Sequence, residues 1–137
     1  MDDIGRAIEA GDAAACMMWG KRLMRGRGVP RNYELAWQCF DAAACSGDAD
    51  ALYMLGKCYL KGVGCAKDPA GGVCCLERAA GLGHAAAALR LGDCFAEGQG
   101  APRSVELAAW WYRKAAVLGD ARAYDRMCGL QPANDEQ

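Results

Sequence analysis

The chain contains no threonine and only two serines, Ser46 and Ser104, both near the ends of predicted helices. Hydroxyl nucleophiles are therefore scarce, and neither serine opens a Ser-x-x-Lys motif, because Ala49 and Leu107 stand three residues on. Histidine is scarcer still. His84 stands alone in a column where a helix cap belongs, and no local signature pairs it with a cysteine as a catalytic dyad. No Cys-x-x-Cys pair occurs, which argues against a zinc ribbon or a thioredoxin-type redox site. The Gly-x-Gly pairs lack the third glycine and the preceding strand of a dinucleotide site and read as turns. No catalytic residue, cofactor or metal ligand is therefore expected, and the chain is not expected to be an enzyme. The uncharged stretches are too short or too polar to span a bilayer. A net charge of -1 gives no general reason to expect nucleic acid or an acidic membrane as partner. Met1-Asp2-Asp3-Ile4 lacks the basic start and apolar run of a signal peptide, so a cytoplasmic location is expected.

What the chain has in abundance is glycine, spaced with a period of 36 residues. Gly20, Gly56 and Gly92 form one column, Gly26, Gly62 and Gly98 a second, and Gly28, Gly64 and Gly100 a third. Gly11, Gly47, Gly83 and Gly119 form a fourth, and Ala15, Ala51, Ala87 and Ala123 keep the same register. A period of this length marks an array in which each unit stacks on its neighbours. Such an array makes a long concave surface rather than an enclosed catalytic pocket. With 137 residues, the chain is long enough for one domain with an ordinary core.

Residues 48 to 83 show the unit. Asp48 precedes Ala49 as an N-cap, and Asp12, His84 and Asp120 share its column. Ala51, Leu52, Leu55 and Tyr59 then form an apolar helical stripe. Gly56 lies inside this helix at a cost of about 1 kcal/mol relative to alanine, so its recurrence predicts that another helix packs there too closely for a side chain. Gly62-Val63-Gly64 ends the helix. A second helix runs from Pro69 to about Leu82, with Gly72, Cys75, Leu76, Ala79 and Ala80 on its buried stripe. The units are 12–47, 48–83 and 84–119, with a half-unit at 4–11, another at 120–130, and a polar tail at 131–137.

The pattern Ala51-x3-Leu55-Gly56-x2-Tyr59-x2-Gly62-x-Gly64, followed by Ala108-x2-Trp111-Tyr112-x-Lys114-Ala115-Ala116-x2-Gly119, resembles the Sel-like repeat family, a 36-residue relative of the tetratricopeptide repeat. The resemblance covers nearly all of residues 4 to 130. It implies an all-α, right-handed solenoid of antiparallel helical hairpins, with three full repeats, a half-repeat at each end, and the first helices lining the concave side. It also implies an adaptor that binds a protein or peptide. One cysteine-rich branch of the family is secreted and described as penicillin-binding. The positions of its cysteine ladder fall here on Ala44, Ala80 and Ala116 and on Leu52, Ala88 and Tyr124, none of them cysteine. Nine cysteines nevertheless keep two alternatives in view, a β-lactam-binding or weakly hydrolytic protein and a cysteine-based redox or metal protein. Placed in helices, the cysteines read first as small core hydrophobes. Cys74-Cys75 is a vicinal pair whose members point about 100 degrees apart, one inward and one outward.

By register, the groove positions are Met17, Lys21 and Arg25 in the first unit, Tyr53, Lys57 and Lys61 in the second, and Leu89, Asp93 and Glu97 in the third. Asp125 follows in the final half-unit. Met17, Tyr53 and Leu89 would form an exposed apolar floor, with cations toward one end and carboxylates toward the other. Such a groove suits an extended or helical peptide of complementary charge. Lys21, Arg22, Arg25, Arg27 and Arg31 crowd the first hairpin and read as a solvated helix end rather than a nucleic-acid patch. The two half-units leave self-association open.

Overall fold

A computed structural model describes residues 3–130, which form eight α-helices and no strand. They are α1 (Asp3–Ala10), α2 (Ala13–Arg25), α3 (Tyr33–Cys45), α4 (Ala49–Lys61), α5 (Pro69–Gly81), α6 (Ala85–Glu97), α7 (Val105–Val117) and α8 (Arg122–Cys128). Helices α2/α3, α4/α5 and α6/α7 are hairpins, and each helix packs on the next in chain order, so the molecule is an α-solenoid. Helix α1 packs on the first hairpin and α8 on the last. The Cys16 thiol donates to the Ala7 carbonyl at 3.3 Å and the Ser46 hydroxyl to that of Gly11 at 3.2 Å, tying α1 to the first hairpin. The polar tail at 131–137 lies outside the described residues. Among the described residues no helix is long and apolar enough to cross a membrane.

Capping sets the helix boundaries. Asp12, Asp48 and His84 each accept the backbone N–H three residues on, from Ala15, Ala51 and Ala87 at 3.1–3.2 Å. The second helices are capped likewise by Asn32, Asp68 and Ser104, a further column of period 36. Asp120 departs from its column. It accepts from the Arg122 N–H only two residues on, at 3.0 Å, and also holds the Arg122 guanidinium. Helix α8 therefore starts late, at Arg122, without a side-chain cap. At the other end of the first helices, Gly26, Gly62 and Gly98 adopt φ of 70–73°, the left-handed conformation that closes a helix.

The glycines inside the first helices sit where the second helices cross. A Cβ on Gly20 would lie 2.6 Å from the Phe40 ring, and one on Gly56 would lie 2.9 Å from Leu76 Cγ and 3.1 Å from the Gly72 carbonyl. One on Gly92 would run into the Tyr112 ring. The expected close approach is therefore present in all three hairpins. Ala51, Leu52, Leu55, Leu76, Ala79 and Ala80 are buried as their stripes predicted, while Tyr59 is half-buried, its ring edge-on to Trp37 of the preceding hairpin at 6.3 Å.

Four cysteines, Cys16, Cys39, Cys58 and Cys94, belong to this core, whereas Cys45, Cys74 and Cys128 are exposed. Within the vicinal pair Cys74 faces out and Cys75 is half-buried. All nine are free thiols. Burial is the main influence pushing the Cys39, Cys58 and Cys94 thiols up to about 11. Only the thiolate attacks a disulfide reagent. Titration with an aromatic disulfide at neutral pH should thus modify Cys45, Cys74 and Cys128 in the fast phase and leave Cys16, Cys39, Cys58 and Cys94 protected until denaturant is added. Peptide mapping of the labelled sites checks the assignment.

The crossing glycines give a paired stability prediction. Gly92→Ala should destabilise the protein by about 1–3 kcal/mol because the buried Tyr112 ring fills the site, although alanine favours helix by about 1 kcal/mol. Gly81→Ala, with nothing within 4 Å of the new methyl, should gain about 0.5 kcal/mol. Urea midpoints of the two variants that move in the same direction would remove the crossing as the reason for the glycine.

Candidate functional site

The first helices α2, α4 and α6, with α8, turn their outer edges toward one face, where two adjacent cavities open. One, of about 200 Å³, has Met24, Met54 and Val63 as its apolar lining and Lys57, Lys61 and Arg90 as its charged rim. The other, of about 250 Å³, lies between α4, α6 and α8 and is lined chiefly by Tyr53, Lys57, Arg90, Asp93, Arg122 and Arg126. Lys57 and Arg90 belong to both and form the wall between them.

The expected apolar floor needs correction. Met17 and Leu89 are 7% and 3% exposed and belong to the core, Leu89 also lining the second cavity, so that Tyr53 is the one member of that row that is not buried. The reason is the width of the buried arc: on α6 it takes in Ala87, Ala88, Leu89, Leu91, Gly92, Cys94 and Phe95, more of the helix than the stripe suggested. Lys61 is exposed at the rim of the first cavity. Lys21, Arg25, Glu97 and Asp125 are exposed but line neither cavity.

Two neighbours hold the Tyr53 ring in place. It stacks on His84 with centroids 4.6 Å apart, and the Lys57 ammonium lies over it at 4.6 Å. The His84 Nδ1 accepts from the Ala87 N–H, so the proton sits on Nε2, which donates to Asp50 Oδ1 at 2.7 Å. With both ring nitrogens engaged, His84 caps α6 and ties it to α4.

The carboxylate end of the expected groove is changed more deeply. Asp93 accepts from the Tyr112 hydroxyl at 2.6 Å and from the Arg126 guanidinium. Burial and then this hydrogen bond push the Tyr112 phenol well up, and Asp93 raises Arg126. Asp93 is thus a buckle joining α6, α7 and α8. The second cavity consequently presents four cations against one carboxylate that is already bonded. Arg122 is paired with Asp120, whose carboxyl it holds below the usual range.

Arg90 was not among the expected groove residues. Its Nε is buried with no hydrogen-bond partner, and among the described residues no carboxylate pairs with it. Burial first, and then Arg90, push the Lys57 ammonium down. The signal for Arg90 was present in the sequence, because Met54, Arg90 and Arg126 form a column one residue on from Tyr53, Leu89 and Asp125. Among the described residues no group of three or more His, Cys, Asp or Glu is placed to hold a metal ion.

The family model for the Sel1 repeat matches residues 13–48, 49–84 and 85–120. A Sel1 repeat protein from Oxalobacter formigenes is similar at 36% identity and a TM-score of 0.79, over 86% of this chain and 49% of that one. A protective antigen of uropathogenic Escherichia coli with an SLR fold is similar at 34% identity and a TM-score of 0.84, over 90% of this chain and 27% of that one. This chain thus spans about half and about a quarter of the length of these two relatives. The cysteine-rich protein B of Helicobacter pylori shares the fold, at 22% identity, a TM-score of 0.69, and coverage of 90% of this chain and 94% of that one. Comparison with curated proteins gave no match. The chain belongs to the Sel1 repeat family, whose members are generally protein–protein interaction modules and typically non-catalytic scaffolds.

Proposed function

We propose that this chain is a protein-interaction module that holds a segment of a partner protein in the groove formed by α2, α4, α6 and α8, and that it catalyses no reaction. The observation that carries this reading is the pair of adjacent cavities on that face, one apolar and one cationic, sharing Lys57 and Arg90 as their common wall. A peptide side chain fits a cavity of this size, and a chain crossing the wall would use both. The only imidazole has both nitrogens engaged, which leaves it no free site to act as a base.

Photo-crosslinking tests the location. A benzophenone amino acid replacing Lys61, at the rim of the groove, should trap a partner in extracts of the source cells. The same group replacing Glu77, exposed on second helix α5, should not. Identical adducts from both positions, or adducts from Glu77 alone, would place binding elsewhere.

A further inference from the structure

The charge of the groove specifies its occupant more narrowly than its shape does. Resting on the groove reading above, we propose that the bound segment is acidic, a peptide stretch with a carboxylate beside an aliphatic side chain. The carboxylate sits between Lys57 and Arg90, and the aliphatic group enters the cavity floored by Met24, Met54 and Val63.

Lys57 and Arg90 are like charges on successive first helices, held close enough for Arg90 to disfavour the Lys57 ammonium. Neither has a carboxylate partner among the described residues. The nearby acids are committed, Asp93 to Tyr112 and Arg126, and Asp50 to His84. Two half-buried cations without a counterion are an unfavourable arrangement in the free protein, and an incoming carboxylate relieves it. Arg90 lines both cavities with no hydrogen-bond partner among the described residues, and a guanidinium fork matches a carboxylate in two parallel hydrogen bonds. The adjoining cavity supplies the second half of the specificity. Its methionines are flexible and accept aliphatic side chains of several shapes.

The same surface is poorly suited to a nucleic acid. Single strands bind through aromatic faces on which bases stack, and the Tyr53 ring is already taken by His84 and the Lys57 ammonium. The net charge of -1 gives no long-range attraction for a polyanion.

The test uses the full chain and fluorescein-labelled peptides about ten residues long, alternating leucine with glutamate, glutamine or lysine, read by fluorescence anisotropy. The glutamate–leucine peptide should bind about tenfold tighter than its glutamine counterpart at low salt, as loss of one charge-assisted contact implies, and added salt should erode the difference. Lys57→Gln with Arg90→Gln should make the two peptides equal. Lys57→Glu with Arg90→Glu should transfer the preference to the lysine–leucine peptide, a gain that an unfolded variant would not show. Equal binding of the glutamate and glutamine peptides by the native chain overturns the acidic specificity while leaving the groove reading to the crosslinking result. Binding of none of the three peptides, or tighter binding of a labelled oligothymidylate than of the glutamate peptide, overturns it too.

Discussion

Stacking in this protein depends on the crossing of the two helices within each hairpin, where a glycine of the first helix receives a large side chain of the second. Gly20 receives Phe40, Gly56 receives Leu76 and Gly92 receives Tyr112, always 20 residues apart. Close-packed interiors gain dispersion contacts only when such a knob has a hole of matching depth. The middle hairpin, with the smallest knob, compensates with a second glycine: Gly72 lies opposite Gly56, where its neighbours have Ala36 and Ala108. Each crossing glycine weakens its own helix by about 1 kcal/mol. A helix of 13 residues is in any case marginal alone. The secondary structure therefore exists because the array is assembled, and neighbouring hairpins stabilise one another.

The knob also decides the charge of the groove. Asp93 follows Gly92 directly, so the ring that fills the glycine hole brings its hydroxyl under the neighbouring carboxylate. The equivalent knobs Phe40 and Leu76 have no hydroxyl, and the residues in the place of Asp93 are Lys21 and Lys57. In the third repeat alone, a core side chain draws the groove residue toward itself and Arg126 completes the bond. Asp93 thus lines the second cavity with its carboxylate already bonded, and cations outnumber it there.

The fold was legible because glycine, alanine and caps have backbone or crossing roles that tolerate few substitutes. Gly56 foretold the close helix, and Asp48 and the column of His84 foretold the helix starts. The groove was less legible because its residues were assigned from register alone. Tyr53, Lys57 and Lys61 line the cavities, since long side chains reach the surface even from a half-buried position. Met17 and Leu89 are buried rather than exposed, Leu89 still lining the second cavity, because nothing in a repeat column states how wide the buried arc is. The role of Asp93 needed the position of the Tyr112 hydroxyl, which is a contact between repeat halves rather than a property of either. Arg90 was readable in principle from its column with Arg126, though its lack of a partner was not.

A chain with almost no net charge can still present a cationic groove because the repeat sorts its charges along the first helices. Carboxylates are drawn to the helix starts, where Asp12 and Asp48 cap free amides and Asp50 meets His84. Lys57 and Lys61 stand more than two turns along α4 from Asp48 and Arg90 between one and two turns along α6 from His84, and Lys61 lies in the last turn, where the helix dipole favours a cation. The rise from the Asp48 cap to Lys57 is roughly 13 Å at about 1.5 Å per residue, beyond a Debye length of about 8 Å at physiological salt, so that cap does not neutralise the cation through solvent. Only side chains that reach across from the next helix can do so. That happens at Asp93, where α7 and α8 supply Tyr112 and Arg126, and it does not happen at Lys57 and Arg90. The unpaired pair is therefore a consequence of where caps must sit in a stacked hairpin, and it persists unless a ligand brings the missing carboxylate.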